Sequence, residues 1–180
     1  MKPAILFCIS LLLLTIGQPN NTFAQEELKP RPSPMYIATV KYENTYVKVT
    51  YCRPHMKGRE IFGELVPFGE VWRTGANEAT EITFTSDVKI SGKRVPAGTY
   101  TLFSIPDEDE WTVILNSDLG QWGSYRYNQN HDVIRFKARV TSLEKVYEPF
   151  TIEFELNGDN ADLAMMWDKT KASFTIEFYD

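Results

Sequence analysis

From Met35 to the C-terminus the dominant spacing of apolar residues is two, the period of a strand with one buried face. Phe150-Thr151-Ile152-Glu153-Phe154-Glu155-Leu156 and Phe174-Thr175-Ile176-Glu177-Phe178 alternate apolar and polar without a break. Tyr46-Val47-Lys48-Val49-Thr50-Tyr51 adds the β-branched and aromatic residues that suit a pleated surface. Further strands are expected at Ile82–Phe84, Tyr100–Ile105, Trp111–Leu115 and Val133–Val140. Turn chemistry stands between them. Ser91-Gly92 joins Val88-Lys89-Ile90 to Lys93-Arg94-Val95, and Val95-Pro96-Ala97-Gly98 fits a type I turn. Asn160 to Trp167 is the one helical competitor, since Ala161, Leu163, Ala164, Met165 and Met166 are good helix formers. It is short and apolar on all sides, so it reads as a buried strand. The pattern predicts an all-β domain, an antiparallel β-sandwich of roughly nine to eleven strands with jelly-roll-like or related topology.

The first residues are of a different kind. Lys2 precedes an apolar run from Ala4 to Ile16, and Thr22-Phe23-Ala24 has the small-x-small form of a cleavage site, so 1–24 reads as a signal peptide. The run is too short for a membrane-crossing helix, which takes about 20 residues. Cleavage predicts an exported protein, periplasmic or secreted, with no membrane span in the mature chain. Residues 25–34 carry Pro30, Pro32 and Pro34 at alternate positions and read as an extended lead-in to a single domain over 35–180. The 180 residues are 43% hydrophobic and 24% charged, ordinary globular values, and a formal net charge of −5 argues against general nucleic-acid binding. Once Cys8 leaves with the signal, Cys52 has no partner, so the core alone must hold the domain.

Alternation fails between Tyr51 and Thr80. This stretch holds Arg53, His55, Lys57, Arg59, Trp72, Arg73, Asn77 and Glu78, separated by Gly58, Gly63, Gly69 and Gly75. Guanidinium groups offer forked donors, so Arg53, Arg59 and Arg73 suit a carboxylate, sulfate or phosphate. Asn77 and Glu78 would orient polar groups, and Trp72 would supply an apolar wall. The competing reading pairs the arginines with Glu60, Glu64, Glu70, Glu78 and Glu81. Arg73 in particular is expected to point between loop and sheet as the partner of an acid, with Glu78 as the acid to test. A further loop, Leu119 to His131, contains Trp122, Tyr125, Arg126 and Tyr127 beside several amides. Its aromatics either stack on sugar rings or close one end of the sandwich, and the second reading is preferred because aromatic side chains usually bury their area.

Other chemistry is thinly supported. His55 and His131 have no metal-ligand spacing, so neither a metal nor a cofactor is expected. Cys52 and His55 are the only cysteine–histidine pair close in sequence, at a spacing that is not a recognised nucleophile arrangement.

Tyr51-Cys52-Arg53-Pro54, Lys57-Gly58-Arg59, Phe62-Gly63, Pro67-Phe68-Gly69 and Val71-Trp72-Arg73-Thr74-Gly75-Ala76-Asn77-Glu78-Ala79-Thr80 together resemble the bacterial domain of unknown function 2911 family. Pro96-Ala97-Gly98-Thr99-Tyr100 and the strand from Trp111 extend the resemblance to about Phe178. It implies an exported, β-rich bacterial protein and a small polar residue, serine, at the Cys52 position in relatives. It implies no activity. The leading expectation is a non-catalytic binding or accessory module taking a small anionic or carbohydrate ligand. The alternatives are a hydrolase or lyase using His55 or Glu78 as acid or base, and a purely architectural motif.

Overall fold

The computed structural model describes residues 29–179, so the signal-peptide reading over 1–24 lies outside the described residues. Nine strands follow in chain order: β1 (Met35–Tyr42), β2 (Thr45–Cys52), β3 (Glu81–Phe84), β4 (Val88–Ile90), β5 (Lys93–Val95), β6 (Gly98–Ile105), β7 (Glu110–Asn116), β8 (Asp132–Asn157) and β9 (Asn160–Phe178). No α-helix occurs among them; a single 3-10 turn spans Gln129–His131. No helix of the described residues is long and apolar enough to cross a membrane.

The strands form one continuous antiparallel sheet in the order β1-β2-β3-β6-β7-β8-β9-β4-β5. The expected all-β, antiparallel architecture is therefore present, built from one sheet that curves over itself. Two long strands make this possible. β8 runs 26 residues and β9 runs 19, and their pairing shifts register twice, between Ser142 and Tyr147 and between Tyr147 and Thr151. The sequence pattern separates Val133–Val140 from Phe150–Leu156, whereas the chain bends without turning. Pro149, which cannot donate to a ladder, sits at the second shift, where a missing donor is tolerated.

One core fills the inside of the curve. Val47 and Val49 of β2, Ile82 and Phe84 of β3, Leu102 of β6, Val113 and Leu115 of β7, and Ile152 of β8 are all buried there. Tyr42 at the end of β1 stacks on Phe178 at the end of β9, with centroids 5.1 Å apart and planes 10° from parallel. Asn160–Trp167 is strand, with Leu163, Met165 and Trp167 buried in the same cluster. Burial on both faces explains its helix-like composition.

The aromatic loop departs from the preferred expectation. Tyr127 packs on Phe103 at 5.2 Å, but Trp122 is 58% and Tyr125 82% exposed. Its rings divide between core and solvent.

Candidate functional site

The irregular segment after β2 is pinned to the sheet at several points. Trp72 exchanges backbone hydrogen bonds with Ser104 of β6 (2.7 and 3.0 Å), and Leu102 N–H donates to the Thr80 carbonyl at 2.7 Å. Residues 72 and 80 thus continue along the edge of β6 that β3 occupies lower down. The detour between them is closed by Thr80 N–H donating to the Arg73 carbonyl (3.1 Å) and Thr80 Oγ1 donating to the Thr74 carbonyl (2.6 Å). Thr74 and Asn77 both take left-handed backbone, φ 52° and 57°. A β-branched residue holds that conformation only when its surroundings over-determine it. Here the Thr74 hydroxyl is buried against the Ser104 hydroxyl at 2.9 Å. Gly75 lies so close to β2 that a Cβ on it would sit 2.9 Å from the Cys52 carbonyl oxygen.

Trp72 is held from several sides. Its ring stacks on Trp167 (6.0 Å, 13°) and meets Phe150 (5.1 Å), Trp111 (6.0 Å) and Phe62 (6.2 Å) edge-on. Its Nε1–H donates to the Gly75 carbonyl at 3.2 Å. One side of this aromatic group stays open. Trp72 and Trp167, with Val66, floor a cavity of about 410 Å³ whose rim carries Arg59, Arg73, Asn77 and Glu70. Its volume is in the range of small-molecule sites, and its lining is mixed, with polar groups around the tryptophan floor.

The seven candidate residues divide between this cavity and the framework around it. Arg59, Trp72, Arg73 and Asn77 line the cavity. Arg59 is braced by carbonyls, donating from Nε to Met56 O (2.9 Å) and from Nη2 to His55 O (2.7 Å). Arg73 donates from Nε to the Gly75 carbonyl at 3.3 Å. Among the described residues neither arginine has a carboxylate partner. The expected Arg73–Glu78 pair is absent because Glu78 is taken by Arg31, whose Nη1 donates to both of its oxygens (2.6 and 2.9 Å).

Arg53 turns the other way. It donates to Phe150 O (3.1 Å) and Thr151 Oγ1 (2.7 Å), and its guanidinium lies 4.7 Å from the centre of the Tyr36 ring. That is a joint between β1, β2 and β8. His55 forms a backbone bridge with Pro149 and is not among the cavity residues. The lead-in, read from its prolines as a spacer, is part of the site. Arg31 holds Glu78, the Ser33 carbonyl accepts from Asn77 Nδ2 (3.1 Å), and the Pro34 carbonyl accepts from Arg53 N–H (2.9 Å). Nothing local to the sequence links Arg31 to Glu78, so neither it nor Ser33 stood out.

The hydrogen bonds from Arg31 lower the pKa of Glu78 from the ordinary carboxylate value. A depressed folded pKa contributes stability in full above the unfolded value, about 4.3, and loses it as the pH falls through the folded value. Glu78→Gln should mimic that acid loss at neutral pH. The expected outcome is faster proteinase K cleavage within 29–34 with the rest of the domain intact. Equal cleavage rates would mean that the pair does not hold the arm.

Cys52 is 1% exposed, and burial raises its thiol pKa above the ordinary value. Its Sγ–H donates to Glu78 Oε2 at 3.4 Å. A serine hydroxyl can make the same bond. Cys52→Ser should therefore fold normally, and the native thiol should react with iodoacetamide far more slowly than in denaturant. Rapid native alkylation would contradict the burial.

A family model described as a protein of unknown function, DUF2911, matches residues 33–176. No curated protein and no solved structure matches the chain.

Proposed function

Because the chain belongs to the DUF2911 family, which carries no assigned activity, we propose from the site itself that it is a non-catalytic binding module for a small anionic ligand. One observation carries this reading. Arg59 and Arg73 stand on the rim of an apolar-floored cavity with no carboxylate partner among the described residues. A guanidinium held by neutral carbonyls keeps its full charge for a visitor, and Trp72 below offers a flat wall. A carboxylate on a compact ring, such as a uronic acid, satisfies both.

The acid/base alternative has less behind it. His55 and Glu78 are absent from the cavity lining, and Glu78 is held as a carboxylate by Arg31. The proposal places the protein outside the cytoplasm, after removal of residues 1–24, and N-terminal sequencing of envelope material that begins at Met1 would contradict it.

The test is a thermal-shift and calorimetric screen against glucuronate, citrate, sulfate and phosphate. With no acid partner to strand, Arg73→Ala should change stability by about 1 kcal/mol or less. It should weaken the best anion roughly tenfold or more, the worth of one charge-assisted hydrogen bond. Undiminished anion binding in Arg73→Ala would remove the cavity from consideration.

A further inference from the structure

The loop that leaves two of its three aromatics, Trp122 and Tyr125, in solvent is rigidly mounted. Ala79 N–H donates to the Gln121 carbonyl (2.8 Å), Gly123 N–H to the Asn77 carbonyl (3.0 Å), and Gly120 N–H to Glu81 Oε1 (2.8 Å). Buried Asn116 donates from Nδ2 to the Asn128 carbonyl (3.0 Å), and His131 Nδ1 pairs with Asp118 Oδ2 at 2.6 Å. A loop fixed this firmly presents Trp122 and Tyr125 outward as part of its built shape. They border a concavity of about 550 Å³, together with Gln121, Asp118 and Arg126. Gln121 is 9% exposed, and its Oε1 is buried with no hydrogen-bond partner among the described residues.

Exposed aromatic rings beside a carboxylate and a guanidinium match a pyranose ring. Such a ring has an apolar C–H face for stacking and an equatorial belt of hydroxyls that donate and accept. A protein partner would need roughly 800 Å² of surface on this side, much more than two rings supply. The concavity also adjoins the anion cavity. Ser124 lines the anion cavity and Tyr125, next but one after Gly123, lines the concavity. A Cβ placed on Gly123 would meet Tyr125 Cε2 at 2.7 Å and Arg73 Nη1 at 3.4 Å, so the platform and the cavity converge on the same α-carbon. Only glycine, here with φ 70°, lets them approach.

We infer that Trp122 and Tyr125 form a sugar-stacking subsite continuous with the Arg73 cavity, so that the ligand is a carboxylate-bearing oligosaccharide rather than a lone acid. One ring lies on the platform while its neighbour presents a carboxylate to Arg73. This rests on the anion-site reading for the Arg73 end and on the exposed aromatics for the other.

Titration calorimetry of the purified chain with glucuronate, with uronate-containing tetrasaccharides from hyaluronan, alginate and pectin, and with neutral chitotetraose tests it. At least one acidic tetrasaccharide should bind ten times or more tighter than glucuronate. Trp122→Ala and Tyr125→Ala, at exposed positions and with unchanged melting, should erase that advantage and leave glucuronate binding as it was. Trp122 is the most exposed of the four tryptophans, so red-edge emission should fall on adding the tetrasaccharide and not on adding glucuronate. Tetrasaccharide binding unaffected by Trp122→Ala, or no acidic tetrasaccharide tighter than glucuronate, overturns the subsite. If glucuronate still needs Arg73 in that case, the anion cavity survives alone. If tetrasaccharide or chitotetraose binding needs Trp122 but is indifferent to Arg73, the platform stands and the anion cavity falls.

Discussion

Trp72→Ala is expected to cost about 3–5 kcal/mol of folding stability, the range for emptying a packed tryptophan site. The ring is the common neighbour of Trp167, Trp111, Phe62 and Phe150, and its removal takes one ring contact from each of the four. The bond from Nε1 to the Gly75 carbonyl goes with it, releasing one fastening of the left-handed turn. Trp72→Phe keeps much of the packing but not that bond, so it should fall in between. Urea denaturation of the three proteins orders them. A cost under about 1 kcal/mol for the alanine variant would mean that Trp72 is a wall of the cavity and no part of the core.

Gly75→Ala should cost about 2–3 kcal/mol although it deletes nothing. The added methyl would lie 2.9 Å from the Cys52 carbonyl and 3.3 Å from Thr80 Oγ1, and the first of these is backbone in a paired strand. Overpacking against an immobile atom is relieved only by moving the loop, which costs a few kcal/mol. That movement carries Arg73 and Asn77, so anion binding should weaken in a variant that keeps Arg59, Trp72, Arg73 and Asn77. Gly69→Ala is the matched control. Its φ of 76° is also positive, against 156° at Gly75, but a Cβ there meets nothing within 4 Å. The control should lose only about 1 kcal/mol of backbone preference. Equal losses in the two variants would assign the effect to conformation and not to the close approach.

Alternation made the strands legible because a period of two follows from a single buried face, as in Phe150–Leu156. Even Asn160–Trp167, composed like a helix, was readable from its length. The site was legible only as a place where alternation stops. That was enough to single out Arg59, Trp72, Arg73 and Asn77, all four of which line one cavity. It did not reveal that Arg53 reaches Thr151, almost a hundred residues away, or that Glu78 belongs to Arg31. A loop residue's facing direction is set by such distant partners, and charge counting within the segment proposed nearer ones. The aromatic loop illustrates the same limit. Tyr127 is half-buried because Asp132 accepts its hydroxyl bond (2.7 Å) beside Phe103, whereas the Trp122 side chain has no such anchor among the described residues and remains outside.

The order of strands across the sheet also dictates when folding can finish. β4 and β5 follow directly after β3 in the chain, yet β4 pairs with β9, the last strand made, through Val88–Ile90 opposite Phe178–Ile176. Until Ile176–Phe178 are available, Val88 and Ile90 have no strand besides β5 to pair with, and the hairpin waits with its apolar face uncovered. A chain shortened by even its last few residues should therefore lose the β4–β5 hairpin as well as the end of β9. Closure over so long a span is slow, because the loop entropy is met before any contact rewards it. The nascent protein depends on Ile176–Phe178 to place a hairpin laid down about ninety residues earlier.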